Sequence, residues 1–157
     1  MPQQVEHATV IMLDAITEHD VGRKLRVAGR MLTYDPESAL VLLHDASSAL
    51  LVDATLCLDL EAMHSVCSPP SERSKNPNVD HNWALQRKSH VWVVGYLERA
   101  EDELPIPMLP AYLPAPDINP SIFIHALIIS PAKDLDIVRL RAALTAMAEV
   151  PPTPYPV

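Results

Sequence analysis

The residues best suited to chemistry in this chain are basic and aromatic, and they fall at strand spacing. "KLRVAGRMLTYD" (24–35) places Lys24, Arg26 and Arg30 on one side of an alternating stretch, with Tyr34 at its end. A second group, Arg73, Lys75, Arg87 and Lys88, surrounds Trp83, and Tyr96 lies further on, sharing a strand face with Trp92 and Val94. Basic groups that track phosphates, beside aromatic rings on which bases stack, are what binding of a single nucleic-acid strand requires. The candidate contacts are therefore Lys24, Arg26, Arg30, Tyr34, Trp83, Arg87, Lys88 and Tyr96. For the strand cations a solvated charged face is the plainer explanation, and Trp92 and Phe123 read as core.

The net charge of −8 argues against a high-affinity electrostatic binder but leaves room for a local basic patch. Catalytic chemistry is poorly represented. Cys57, His64 and Cys67 form a C-x6-H-x2-C pattern with three ligands and no fourth nearby, so no metal is expected. P-loop, G-x-S-x-G and H-E-x-x-H patterns are missing, and no cofactor is implied. Two cysteines do not make a disulfide framework, and no apolar run approaches membrane-spanning length, so the chain reads as a soluble intracellular protein.

The elements that must position these residues are mostly strands. The first spans 23–34, with Leu25, Val27, Gly29 and Met31 on one face and Lys24, Arg26, Ala28, Arg30 and Leu32 on the other. "YDPES" turns it into a second strand (39–45), and "ASS" links that to a third (49–56), making a meander. A short helix at 57–66 and a polar loop follow, then a fourth strand (90–98), a loop (99–120) with six prolines, and a fifth strand (121–130). "ATVIMLDAI" (8–16) is a lead-in strand or a helical turn. Asp53 reads as a structural partner for one of the arginines.

The chain has only three glycines, yet Gly29 and Gly95 sit inside strands, where glycine costs stability. Bends and bulges explain that expense, because a five-stranded barrel must coil its first strand to pair with both halves of the sheet. The expected fold is all-β with a terminal helix: a five-stranded OB-fold barrel followed by a C-terminal α-helix. One domain fills 1–150, with loops at about 67–89 and 99–120, and 151–157 is a proline-rich tail.

"PAKDLDIVRLRAALTAMAEV" (131–150) reads as that helix, started by Pro131 with Asp134 and Asp136 at its positive end. Ile137, Leu140, Leu144 and Met147 form one stripe, which should lie on the barrel. Leu135, Val138, Ala142 and Val150 add a second, shallower one, kept slim by Ala143 and Ala146. So wide an apolar arc means two buried faces, either both within this domain or one against a partner.

"GRKLRVAGRMLTYDPESALVLLHDASSALLVDATL" is similar to the opening of the Ten-one family, the smallest OB subunit of the telomeric CST complex. The matching positions are Gly22, Leu25, Arg26, Gly29, Arg30, Tyr34, Asp35, Leu51, Val52 and Asp53. "VWVVGYLE" resembles the family's fourth strand, and "FIHALIISPAKDLDIVRLRAAL" its last strand and helix. The resemblance covers roughly 20–148. It implies a nuclear, telomeric and non-catalytic subunit that pairs with a Stn-one-like OB protein and a larger Cdc-thirteen/Ctc-one-like subunit, and that binds single-stranded telomeric DNA weakly alone. The implied partner surface is the helix, through Ile137, Val138, Leu140, Arg141, Leu144 and Met147. The smallest subunit of replication protein A, or another OB scaffold working only through protein contacts, has the same barrel-plus-helix plan.

Overall fold

A strand that must pair with two different neighbours organises the molecule. The computed structural model describes residues 6–57, 89–109, 111 and 114–149. The expected helix at 57–66 beyond Cys57, the polar loop, Val150 and the tail lie outside these residues. Six strands run in the order β1 (Thr9–Val10), β2 (Lys24–Asp35), β3 (Leu40–Asp45), β4 (Ser48–Asp53), β5 (His90–Arg99) and β6 (Asp117–Pro131), followed by helix α1 (Ile137–Glu149). The 8–16 segment supplies both readings it allowed: β1, parallel to β2, and a 3-10 turn at Leu13–Ala15.

β2 pairs antiparallel with β5 from Lys24 to Arg30 and with β3 from Arg30 to Asp35. β3 pairs with β4, β4 runs parallel to β6, and β6 pairs back to β5. The ring β2-β3-β4-β6-β5 closes on β2, which is the five-stranded OB barrel with one added strand.

The glycines in strands have the geometric cause their cost implies. At Gly95 a Cβ would stand 2.2 Å from the His125 carbonyl oxygen and 2.9 Å from the Ala126 Cα, both backbone atoms that cannot move aside. The adjoining register shift sets Val94 opposite Ile128 and Gly95 opposite Ala126, leaving Leu127 as the extra residue of a bulge. At Gly29, where β2 prepares to change partners, a Cβ would meet Leu43 Cγ at 2.8 Å and the His44 carbonyl oxygen at 3.1 Å.

A second bulge reverses part of the expected pattern. Met31 faces Leu43 and Thr33 faces Leu42, so Leu32 is the extra residue. Alternation is reset there. Tyr34 turns to the core face opposite Val41, rather than sharing the face of Lys24 and Arg30 as simple counting predicts. Leu25, Val27, Met31, Val41, Leu43, Val52, Val93, Leu97 and Ile124 fill the barrel interior. Outside it, Leu32, Leu42 and Leu51 form a second buried cluster, covered by Leu104, Leu109, Ile118 and Phe123. The barrel is therefore apolar on both sides of its β2–β4 wall.

Three expected boundaries move. β4 ends at Asp53 rather than at residue 56, where the chain turns instead. Residues 117–120, counted with the loop, begin β6, because Asp117 and Ile118 pair with Ser48 and Ala49. Pro131 ends β6 instead of starting the helix, which begins at Ile137 after Asp136 accepts a hydrogen bond from the Arg139 N–H at 3.1 Å. Asp53 bonds Thr55 and His125 rather than an arginine.

The entry into β2 is held by a capping box. The Thr17 N–H and hydroxyl both donate to Asp20 at 3.0 Å, and Arg23 donates to it at 2.6 Å. The backbone bond from Thr17 leads the effects that hold the Asp20 carboxyl below its ordinary value, against burial, which raises it. A carboxyl lowered on folding stabilises above its unfolded value and loses that stabilisation as pH falls through the folded one. Asp20→Asn should therefore cost about 1 kcal/mol at neutral pH. In urea titrations that difference should shrink steadily below pH 4; a deficit constant down to pH 2 would contradict it. Gly95→Ala should cost about 2–3 kcal/mol through overpacking against backbone, read as a lower urea midpoint at unchanged slope; an unaltered midpoint would contradict the close approach.

Candidate nucleic-acid and partner surfaces

Two surfaces gather the candidate residues. The first is the outward face shared by β2 and β5. Cross-strand register sets Lys24 beside Tyr96, Arg26 beside Val94, Ala28 beside Trp92 and Arg30 beside His90. The Arg26 guanidinium lies over the Trp92 ring, 4.4 Å from its centroid, at cation–π distance. Trp92 is thus an outward, half-buried ring and not the core residue its type suggested. The Tyr96 hydroxyl donates to the Glu6 carboxylate at 3.0 Å, which pushes the phenol up, and Lys24 Nζ donates to the Glu6 carbonyl at 3.2 Å.

Tyr34 is not on this surface. It is half-buried against the core, where burial followed by the neighbouring Asp35 charge raises its phenol. Trp83, Arg87 and Lys88 lie outside the described residues, as do Arg73 and Lys75.

OB barrels commonly take oligonucleotides on the outer face of the strands that correspond here to β3 and β4, between the flanking loops. In this chain that wall is occupied by its own residues. Leu104 and Leu109, from the proline-rich segment between β5 and β6, sit on Leu32, Leu42 and Leu51. The Leu104 N–H donates to the Pro120 carbonyl at 3.1 Å and fixes the segment's near end. Sequence patterning missed this cover, because a segment rich in proline shows no periodicity to read.

The second surface is α1. No residue of the helix is buried, so it is not the internally packed helix that its wide apolar arc also allowed. Ile137, Leu140 and Leu144 are half-buried toward the barrel, while Val138 is 77% and Met147 72% exposed. Arg141 faces inward and is occupied: it donates to Asp14 before β2 and, at 2.7 Å, to Asp45 at the end of β3. Between helix and barrel lies a cleft of about 570 Å³, walled by Arg30, His44 and His90 on one side and Leu135, Ile137 and Val138 on the other.

Among the described residues no cluster of histidine, cysteine or acidic side chains could hold a metal ion. His64 and Cys67 lie outside them. The Cys57 thiol is pushed up by burial and points to the Ala126 carbonyl oxygen at 3.4 Å. No helix of the described residues is long and apolar enough to cross a membrane.

No family model matches the chain, and no curated protein does. Solved structures do. A chain of the Schizosaccharomyces pombe Stn1-Ten1 (Stn-one–Ten-one) complex superposes with a TM-score of 0.58 at 19% identity, over 96% of this chain and 100% of that one. Telomere capping protein Ten1 from the same yeast matches with a TM-score of 0.55 at 19% identity, over 92% and 100%. At such identity the likeness establishes the shared fold, and it extends over the barrel and the terminal helix together.

If Arg141 is the tether of α1, Arg141→Ala should loosen the helix without touching the barrel. Amide exchange across 137–149 should accelerate by roughly fivefold, the equivalent of about 1 kcal/mol for an exposed ion-pair network. Amides in β2 to β6 should keep their rates. Unchanged exchange in the helix would show that other contacts hold it.

Proposed function

We propose that this chain is the small, non-catalytic OB subunit of a telomere-capping assembly. It pairs through α1 with a Stn1-like OB protein and assists that protein in holding single-stranded telomeric DNA. The observation that carries the reading is the match, over nearly the whole of each chain, to Ten1 and to a chain of the Stn1-Ten1 complex. Exposed Val138 and Met147 support it independently: they stand nine residues apart, on opposite flanks of the tethered helix, and large apolar side chains left open there are what a partner surface wrapping the helix covers. A nuclear, telomeric location and a larger Cdc-thirteen/Ctc-one-like subunit belong to the same proposal.

The test is light scattering on a sizing column, with the chain alone and mixed with a Stn1-like OB domain. A 1:1 complex is expected. Val138→Glu and Met147→Glu should weaken it at least tenfold, the scale of a central interface residue, while the melting temperature of the isolated chain stays put because neither side chain is packed. A wild-type chain that ignores the partner, or variants that bind as wild type does, would overturn the reading. Capture by the replication protein A core instead would move the chain to that assembly.

A further inference from the structure

The nucleic-acid role in the reading above leaves open which face receives the strand. We infer that single-stranded DNA lies across the outward β2–β5 face, with a base stacked at the Arg26–Trp92 pair and phosphates met by Lys24, Arg26 and Arg30. The inference rests on that proposed role, and it goes beyond it by placing the strand away from the β3–β4 wall.

Three observations converge. The β3–β4 wall is closed by Leu104 and Leu109, so a strand could lie there only by stripping an apolar cover from Leu32, Leu42 and Leu51. The β2–β5 face is open and carries three cations in one strand-spaced row, which complements a polyanion whose phosphates repeat along an extended backbone. Its centre is a ready stacking platform: Trp92 already holds a planar guanidinium 4.4 Å from its ring, and the outer side of such a plane takes a base as an aromatic ring does.

The surroundings fit an extended ligand rather than a small one. Beyond Trp92 the face continues over Val94 to Ile128 on β6, which is 58% exposed and offers apolar area to a sugar or a base. Past Arg30 the row ends at the cleft beside α1, where His44 and His90 flank Arg30 across the sheet and can donate to a phosphate. The acidic neighbours lie at the two ends of the row. Glu6 is engaged by Tyr96 at one end, while at the other Asp45 is held by Arg141 and Asp136 caps the helix. Along β2 and β5 a bound strand meets no carboxylate between Arg26 and Arg30, while at the Tyr96 end Glu6 keeps its charge beside a neutral phenol and exposed Glu98 follows on the same face.

The experiment uses a labelled oligothymidylate of about 15 nucleotides, within the span an OB barrel covers, and reads anisotropy at low salt with the 1:1 complex and with the chain alone. Trp92→Ala should weaken binding roughly tenfold, the scale of one lost base stack. Because that variant also removes packing from a half-buried ring, Arg26→Gln and Arg30→Gln provide the second reading: each should reduce the slope of log affinity against log salt by about 0.7, one phosphate contact on a single strand. In a Trp83→Phe background, where Trp92 is the one remaining tryptophan, the oligonucleotide should quench its fluorescence. Binding that is unchanged by all three substitutions would put the strand on another face. Absence of binding at low salt would remove the DNA role while leaving the partner reading to stand on its helix variants. Loss of the Stn1-like partner in Arg26→Gln, with DNA binding intact, would make this face a protein interface and overturn the assignment.

Discussion

Ring closure is the constraint on which the rest depends. One strand, β2, must hydrogen-bond β5 along its first half and β3 along its second, and the backbone must approach β6 so closely at Gly95 that no side chain fits. A chain with three glycines places two of them at these points. The bulge at Leu32 follows from the same bend. It turns Tyr34 inward and sets Leu32 and Thr33 next to Leu42 on the outside of the barrel.

That outward apolar row then has to be covered. Leaving Leu32, Leu42 and Leu51 in water would forfeit roughly 2 kcal/mol for each side chain, so Leu104 and Leu109 are drawn down over them from a segment whose prolines reduce the entropy lost on ordering. The cover decides where function can reside. With the β3–β4 wall filled, the surfaces left open among the described residues include the basic β2–β5 face and the flanks of α1. The helix is held less by burial than by Arg141, which reaches Asp14 and Asp45 on two different elements. A helix tethered by charge, with Val138 and Met147 exposed along its two flanks, is suited to receive a second protein.

Much of this was legible in the sequence because alternation reports directly on a half-buried strand. The runs around Val27, Val41, Leu51, Val93 and Ile124 mark the five barrel strands, β2, β3 and β5 to within one residue at each end, and the interior glycines point to closure. What alternation cannot report is a reset of its own phase, so simple counting puts Tyr34 on the wrong face. Trp92 was assigned by residue type although its spacing from Val94 and Tyr96 already pointed outward. The start of α1 lies later than the sequence suggests because Pro131, a plausible helix opener, is spent at the end of β6, while the cap is Asp136. The cover by Leu104 and Leu109 carries no local signal at all, since it is created by tertiary contact. Within the candidate site, the basic row was readable and the Arg26–Trp92 stack was not.

The central claim is that protein and nucleic acid meet separate surfaces while the β3–β4 wall stays closed. Methyl NMR on the valine, leucine, isoleucine and methionine side chains tests it most directly, following first the addition of a Stn1-like OB domain and then of oligothymidylate. The predicted result is two disjoint sets: Val138 and Met147 shift with the protein, Val94 and Ile128 shift with DNA, and Leu42 and Leu51 stay where they are. Leu42 and Leu51 moving with DNA would show that the strand displaces the Leu104–Leu109 cover, and the separation of surfaces would be wrong.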